Sequence, residues 1–511
     1  MLLARAAEMR TIDRYAIESC GIPGAALMQN AASALLTALE RRFTALDGMP
    51  CAVLCGRGNN GGDGFAAALL LYGKKARVSV LLACDPEDVR GDAAFFFSRL
   101  SENGIPVLPA CSENANEALR GARCVIDALY GTGFHGRLSD KAAELVKAVN
   151  ASGAFVLSAD LPSGAVCDTG EVPGACIRAD ETVAFALYKP CHFLYPAAGF
   201  CGRVTVADIG IPPEALAARP PSLSIITRQD AAALLPRRPA DSHKGTFGRL
   251  LILCGSEDMP GAALLALSGA LRTGVGLTHL CSARSVCAGA LCRHPEALFT
   301  PLENGWAGGL DEVGRALGRA DAALLGCGIG LSEDAAALTE YVLQNAKTPL
   351  IVDGDGITHL SRNINRLNGT GRRIIVTPHP AEMARLLCCD THTVQRDRIG
   401  AAVSFAKSAG CTVCLKGAGT VVALPDGRAF VNTTGGSGLA KGGSGDVLAG
   451  MIASFAAQGL PPESAARLAV WLHGEAGDRL SERLSSYGAL PSELPYEACS
   501  VLREMEKEVI L

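Results

Sequence analysis

Continuous apolar runs of a few residues recur along the chain, separated by longer stretches in which apolar residues fall three and four apart. Short continuous runs mark strands buried on both faces, and three-and-four spacing marks the helices packed over them. The alternation predicts an α/β protein with mostly parallel sheets. A first series of strands is predicted at 51–55, 77–83, about 123–127, 154–159 and about 181–186. Ahead of it Met9, Ile12, Tyr15 and Ala16 stand at helical spacing, and GIPGAALMQNAASALLTALERRF (21–43) starts a longer helix after a Pro-Gly entry. Proline accumulates between about 211 and 242. A second series opens with RLLILCGS (249–256) and continues at 277–281, 321–326, 350–353, 373–377, 411–415 and 420–424. No repeat relates the two series, so two unrelated α/β domains are expected.

Composition narrows the partners. Of 511 residues, 49% are hydrophobic and 19% charged, which suits two well-buried domains. A formal net charge of −4 leaves no basic footprint for nucleic acid or an anionic membrane, so small molecules are the expected partners. Arg5, Glu8, Arg10, Asp13 and Arg14 break up any signal-peptide core, and the longest apolar region, 261–277, is interrupted by Arg272. A cytoplasmic protein is expected, its 20 cysteines remaining thiols, several as small hydrophobes inside apolar runs (Cys51, Cys55, Cys254, Cys414). The C-x-x-C at Cys411 and Cys414 has no second pair or histidine cluster beside it, which speaks against a metal or redox role.

Two glycine-rich stretches carry candidate chemistry. GRGNNGGDGF (56–65) follows an apolar run and satisfies G-x-G-x-x-G, as does GTGFHG (131–136). A pyrophosphate loop wants small residues that let backbone N–H groups approach. The interior NNGGD instead offers oxygen-bearing side chains, and Asp63 would repel a phosphate. GGSGDVLAG (442–450) is the stronger signal: glycines precede Asp446 and an amphipathic helix expected from Val447. A helix start attracts an anion, and a carboxylate beside it can take a proton from an attacking hydroxyl during phosphoryl transfer. The plainer alternative is a glycine turn with Asp446 as an N-cap. Lys416 in CLKGAGTVV (414–422) and His379 with Glu382 in TPHPAEMARL (377–386) stand at other strand ends, where open α/β sheets bind ligands.

HKGTFGRLLILCGS, MPGAALLALSGALRTGVGLT, GCGIGLS, TPHPAEMARL, CLKGAGT and GGSGDVLAG, in this order over 225–511, resemble the ribokinase-like ADP-dependent NAD(P)H-hydrate dehydratases. The resemblance implies phosphorylation of hydrated NAD(P)H by ADP with Mg²⁺, then loss of phosphate to regenerate NAD(P)H. It places Ala262, Gly328, His379 and Asp446 on the hydrate, with Asp446 as base, and Lys416, Gly417, Ala418, Gly419, Thr420 and Gly445 on the adenine nucleotide. Cys327 stands where the family usually has Pro, and VDGDGI (352–357) where it more often shows DADAL, which weakens Asp353 and Asp355 as site residues.

AEMRTIDRYAIESCGIPGAALMQNAA, GRGNNGGDGF, DALYGTGFHGR, SADLPSG and YKPCHFLYPAAGFCGRVTVADIGIP resemble in order the NAD(P)H-hydrate epimerases over about 1–215. The resemblance implies that Asn59, Asn60, Gly61, Gly62 and Asp63, with Gly131, Thr132, Gly133, Phe134, His135, Gly136 and Arg137, cradle the hydrate. It implies that Asp160 binds the hydrate and transfers the proton, and that Asn60, Asp127 and Ser163 hold K⁺. Asp127 and Asp160 also have a plain reading as helix N-caps, and Lys189 is a further candidate. The expected organisation is a Rossmann-like three-layer domain over 1–215, a linker over 216–240 and a ribokinase-like three-layer domain over 241–511. Together they form a repair enzyme acting on NADHX or NADPHX, with a homo-oligomer expected. The competing reading is a small-molecule kinase of the hydroxymethylpyrimidine or hydroxyethylthiazole type with a non-catalytic first domain.

Overall fold

The computed structural model describes residues 1–367 and 373–510. The chain divides into two compact units, Leu2–Leu223 and one beginning at Ser224. The change falls inside 216–240, which is not an irregular linker. It carries the strand Leu223–Ile226 and the helix Arg228–Leu234, whose Thr227 N-cap accepts from Asp230 N–H.

The first unit is a seven-stranded sheet in the order Val107–Pro109, Arg77–Leu82, Pro50–Cys55, Cys124–Ala128, Phe155–Ala159, Glu181–Phe185 and Arg203–Ala207. Every pairing in it is parallel. Successive side chains of a strand point to opposite faces. Accordingly Cys51, Val53 and Cys55 pack with the helices Gly24–Arg42, Asn59–Gly73 and Asp92–Glu102, while Ala52 and Leu54 pack with Ser112–Leu119 and Asp140–Ala151. Two strands escaped the sequence pattern. Val107–Pro109 is too short to register as a run, and Arg203–Ala207 alternates on an incompletely buried edge.

Glycines in GRGNNGGDGF serve the contact between Asn59–Gly73 and the sheet. A Cβ on Gly61 would stand 1.9 Å from the Gly56 carbonyl oxygen, and one on Gly64 2.7 Å from Cys55 Sγ. Gly61→Ala is therefore expected to cost about 1–3 kcal/mol through overpacking. Gly73→Ala, in the same helix with open space around it, should be neutral or stabilising by about 0.5–1 kcal/mol. Urea midpoints of the two variants check both signs.

The second unit's sheet runs Leu223–Ile226, Ala429–Asn432, Val421–Ala423, Thr412–Leu415, Ile374–Val376, Leu350–Val352, Ala322–Leu325, Arg249–Leu253, Leu277–Ala283 and Leu298–Leu302. Pairings from Thr412–Leu415 across to Leu298–Leu302 are parallel, whereas Thr412–Leu415, Val421–Ala423 and Ala429–Asn432 form an antiparallel meander. Leu298–Leu302 went unpredicted because it contains Pro301, which an edge strand tolerates. Leu250, Ile252 and Leu324 pack on the helices Pro260–Arg272, Ser444–Ala457 and Pro462–Gly488. Leu251, Leu253 and Leu325, on the other face, are also fully buried, so both faces are covered. Helices Pro260–Arg272 and Ser444–Ala457 meet backbone to backbone. A Cβ on Gly450 would stand 2.0 Å from the Ala266 oxygen, and one on Gly269 2.5 Å from the Val447 oxygen. Among the described residues no helix is long and apolar enough to cross a membrane.

Candidate active sites

In the first unit the winding of the sheet reverses between Pro50–Cys55 and Cys124–Ala128, and the crevice at such a switch point is where open α/β sheets take ligands. A cavity of about 640 Å³ lies there. Asn59, Asn60, Asp63, Gly131, Thr132, Gly133, Phe134, His135, Arg137, Asp160 and Lys189 line it. Gly61, Gly62 and Gly136 do not. Asn59 through Asp63 form the first turns of a helix rather than a loop, so Gly61 faces the sheet and Gly62 faces Met28 and Ala93.

Asp160 follows the strand Phe155–Ala159 with φ of +66°, a conformation that a non-glycine residue adopts at a cost of about 1–3 kcal/mol. It caps no helix. Its Oδ1 accepts from Phe185 N–H at 3.0 Å and from the ammonium of Lys189, which is 1% exposed and also donates to the Phe185 oxygen at 2.7 Å. His192 braces the pair: Lys189 N–H donates to Nδ1 at 3.0 Å, leaving the Nε2 proton to donate to the Asp160 oxygen at 2.9 Å. Burial pushes His192 down to about 4, so the ring is neutral. Burial and the charges of Asp160 and Asp13 push Asp63 well above the carboxylate range.

Asp127 does not line the cavity and caps no helix. It lies fully buried in its strand, accepting from Ser163 Oγ at 2.5 Å, Ser163 N–H at 2.8 Å and Ser158 Oγ at 2.9 Å. Ser163 Oγ in turn accepts from Tyr130 N–H at 3.0 Å. Beside Tyr130, the Asn60 side chain packs against Gly131 with its Nδ2 buried and unpartnered. Exchanging the amide's nitrogen and oxygen would bury an oxygen there instead, a donor of the same kind as the Asp127 and Ser163 oxygens that a hard cation takes.

In the second unit Asp446 lies in the first turn of Ser444–Ala457, whose N-cap is Gly443, so the helix begins three residues before Val447 and Asp446 is no cap. The glycines have separate uses: Gly443 turns the chain at φ of +98°, Gly450 admits the neighbouring helix, and Gly445 leaves room for Lys416 Nζ. Lys416 donates to Asp353 Oδ1 at 2.5 Å, which also accepts from Thr377 Oγ1 at 2.6 Å. Cys327 Sγ donates to Asp353 Oδ2 at 3.5 Å, and ligand-type atoms of Cys327, Asp353 and Asp446 lie within 4.8 Å of one another. Asp353 thus stands at the centre of the cluster despite its altered motif, while Asp355 holds the glycine turn by accepting from Gly330 N–H at 2.9 Å. Burial and the charge of Asp353 push Asp446 up to about 7 against the pull of Lys416. Burial likewise raises Glu382 to about 7.

His379 is more than an exposed loop residue. Its Nδ1 accepts from Ala381 and Glu382 N–H at 3.1 and 3.2 Å, leaving Nε2 3.4 Å from Glu382 Oε1, and Glu382 Oε2 lies 3.9 Å from Lys416 Nζ. Ala262 borders Gly328, whose φ of +65° and close neighbours exclude a larger residue. Gly417, Ala418, Gly419 and Thr420 complete a turn between antiparallel strands, Thr420 Oγ1 donating to the Gly417 oxygen at 2.9 Å.

Sequence reasoning missed several supports. Buried Arg398 donates to the oxygens of Leu415 and Lys416 at 3.1 and 3.2 Å, fixing the turn. Buried His473 donates to the Ser444 oxygen at 2.9 Å. In the first unit Asp13 lines the cavity. Its place four residues after Met9 and next to Ile12, both buried, was a readable signal.

The profile of the family described as NAD(P)H-hydrate dehydratase matches residues 250–497, and that of the YjeF-related protein N-terminus matches 24–191. The chain is 39% identical to the bifunctional NAD(P)H-hydrate repair enzyme of Moorella thermoacetica, covering 100% of this chain and 98% of that one. It is 37% identical to the same-named enzyme of Thermofilum pendens, again over 100% and 98%. Among solved structures, the ADP/ATP-dependent NAD(P)H-hydrate dehydratase of Bacillus subtilis, co-crystallised with ATP and Mg²⁺, matches at 33% identity and a TM-score of 0.50, covering 55% of this chain and 98% of that one.

Proposed function

Since the chain belongs to the family of bifunctional NAD(P)H-hydrate repair enzymes, we propose that its first unit interconverts the R and S hydrates of NAD(P)H and its second returns the S hydrate to NAD(P)H at the expense of ADP. The kinase alternative leaves the first unit without chemistry, whereas the relatives align with the whole chain.

The observation that carries the second step is the Asp446 carboxyl at a helix start, with Lys416 and Asp353 beside it and a proton affinity near neutrality. A base works best with its pKa near the working pH. Asp446 takes the proton of the hydrate's hydroxyl as that oxygen attacks the terminal phosphoryl group. Lys416 and the N–H groups of Gly445 and its helix turn offset the charge that gathers there. His379, Ala262 and Gly328 hold the hydrate, and the Lys416–Thr420 turn holds the nucleotide. The Asp353 carboxylate would be an oxygen donor for Mg²⁺, which would supply neutralisation of the phosphate charge; the Cys327 thiol is no ligand for so hard an ion.

In the first unit, Asn59, Asp63 and the Gly131–Arg137 loop cradle the hydrate, Asp160 transfers the proton, and Asn60, Asp127 and Ser163 hold K⁺.

The test is recovery of reduced-nicotinamide absorbance from mixed R and S hydrate with Mg²⁺, K⁺ and either ADP or ATP. Full recovery, faster than spontaneous epimerisation allows, supports both activities, and no recovery with either nucleotide excludes the reading. The pH profile is a second test. With Asp446 as base, kcat/KM for dehydration should rise through pH 7, standing at pH 6 at about a tenth of its plateau. Glu382→Gln should keep that limb. A flat profile between pH 6 and 8 would exclude Asp446 as the base.

A further inference from the structure

The cavity of the first unit holds more carboxyl groups than Asp160. Asp13 enters it from the helix Ala6–Glu18, and Asp63 from the start of Asn59–Gly73. Asp160 is clamped by an ammonium and a backbone N–H. No hydrogen bond from a described residue reaches the side chain of Asp13 or of Asp63, although Asp63 is only 9% exposed. Asp13 is half-buried and the Asp63 oxygens are not sealed from the cavity, so both carboxyls are free to meet a polar ligand there.

Asp13 is the more open of the two to the cavity. Its neighbours Met9, Ile12 and Ala16 anchor the helix in the core, while Asp13 itself remains partly open to the cavity. The charged groups around it are Arg10, Asp63, Asp160 and Lys189, with Arg57, Asp92, His135 and Arg137 along the remaining wall. Burial, opposed by Lys189 and reinforced by Asp160, raises Asp13 to about 6. With Asp160 clamped and Asp13 free in the same cavity, acid and base roles can separate between these two.

We propose that Asp13 is a second catalytic carboxyl of the epimerase site, the acid that protonates the departing hydroxyl of the hydrated ring, with Asp160 as base for the returning water. The ring nitrogen's lone pair expels the hydroxyl. The C–O bond breaks with its electron pair on oxygen, and the Asp13 proton completes a water molecule. The ring carbon becomes part of a conjugated iminium cation. Water adds to the opposite face, a new C–O bond forms, and its surplus proton passes to Asp160. Return of that proton to Asp13 through cavity water resets the site, and the reverse reaction uses the two groups in exchanged order. The step consumes no nucleotide, oxidant or reductant.

This assignment rests on the epimerase reading of the first unit. The experiment uses the full chain and hydrate carrying a heavy-oxygen label in its hydroxyl, following epimer interconversion and loss of label to water. The wild-type chain should lose label as it epimerises. Asp13→Asn should lower kcat at least about 100-fold, with KM within about threefold and label loss falling in parallel. Asp13→Glu should recover part of the rate, and ADP-dependent dehydration by the same chains should be unchanged. Asp13→Asn epimerising within threefold of wild type would overturn the assignment, as would wild-type epimerisation with the label retained. A wild-type chain that does not epimerise at all would overturn the reading of the first unit, and this assignment with it.

Discussion

Asp446→Asn should abolish dehydration while leaving epimerisation at the wild-type rate. Removing a positioned base costs about 10²–10⁴ in rate, and asparagine keeps the shape of the side chain while losing its ability to take a proton. The carboxyl that changes stands at the start of Ser444–Ala457, in a sheet and core distinct from those around Asp160. The measurement is nucleotide-dependent recovery of NADH from pure S hydrate, alongside chromatographic epimerisation of R hydrate. Loss of both activities together would contradict two independent sites. Retention of dehydration above about a tenth of wild type would exclude Asp446 as the base.

The second large effect is expected at Asp160. Asp160→Asn should lower epimerisation by at least about 100-fold, so that R hydrate accumulates while S hydrate is still repaired. It should also destabilise the first unit, because it leaves the Lys189 ammonium, 1% exposed, without its counter-charge and with only neutral oxygens to donate to. Breaking one side of a buried ion pair costs about 3–5 kcal/mol, whereas replacing both partners with uncharged groups of similar size is often neutral. The double variant Asp160→Asn with Lys189→Met should therefore regain most of the lost stability and none of the activity. If the double variant unfolds as readily as the single one, the pair is not the source of the loss.

The layered fold was legible because most of its strands are buried on both faces and read as continuous apolar runs, as CAVLC and RLLILC do. Edge strands were harder. Arg203–Ala207 is only partly buried, and Leu298–Leu302 includes a proline. The glycine patterns have another explanation in the fold. Gly61 and Gly450 are each required by the close approach of backbone rather than by a phosphate. The glycines around Asp446 likewise have separate structural uses, and its chemical case rests on Lys416, Asp353 and burial. Asp353 was set aside because its motif departs from the family's, and its contacts with Lys416 and Thr377 lie far along the chain. Arg398 and His473 act by holding backbone oxygens of residues far along the chain, a relation that no local spacing encodes.

The order of the strands also bears on how the protein is made. All seven strands of the first sheet have been synthesised once residue 207 is in place, before the strand ends that carry Asp353 and Lys416 or the helix start that carries Asp446. Domains generally fold as units and from the N-terminus during translation, so the epimerase cavity can close while the ribosome is still building the nucleotide-consuming half. A chain interrupted in its second half would carry only a reaction that needs no nucleotide. It would equilibrate the two hydrates without spending the cell's adenylate, and a premature stop would lower repair without creating a futile phosphotransferase.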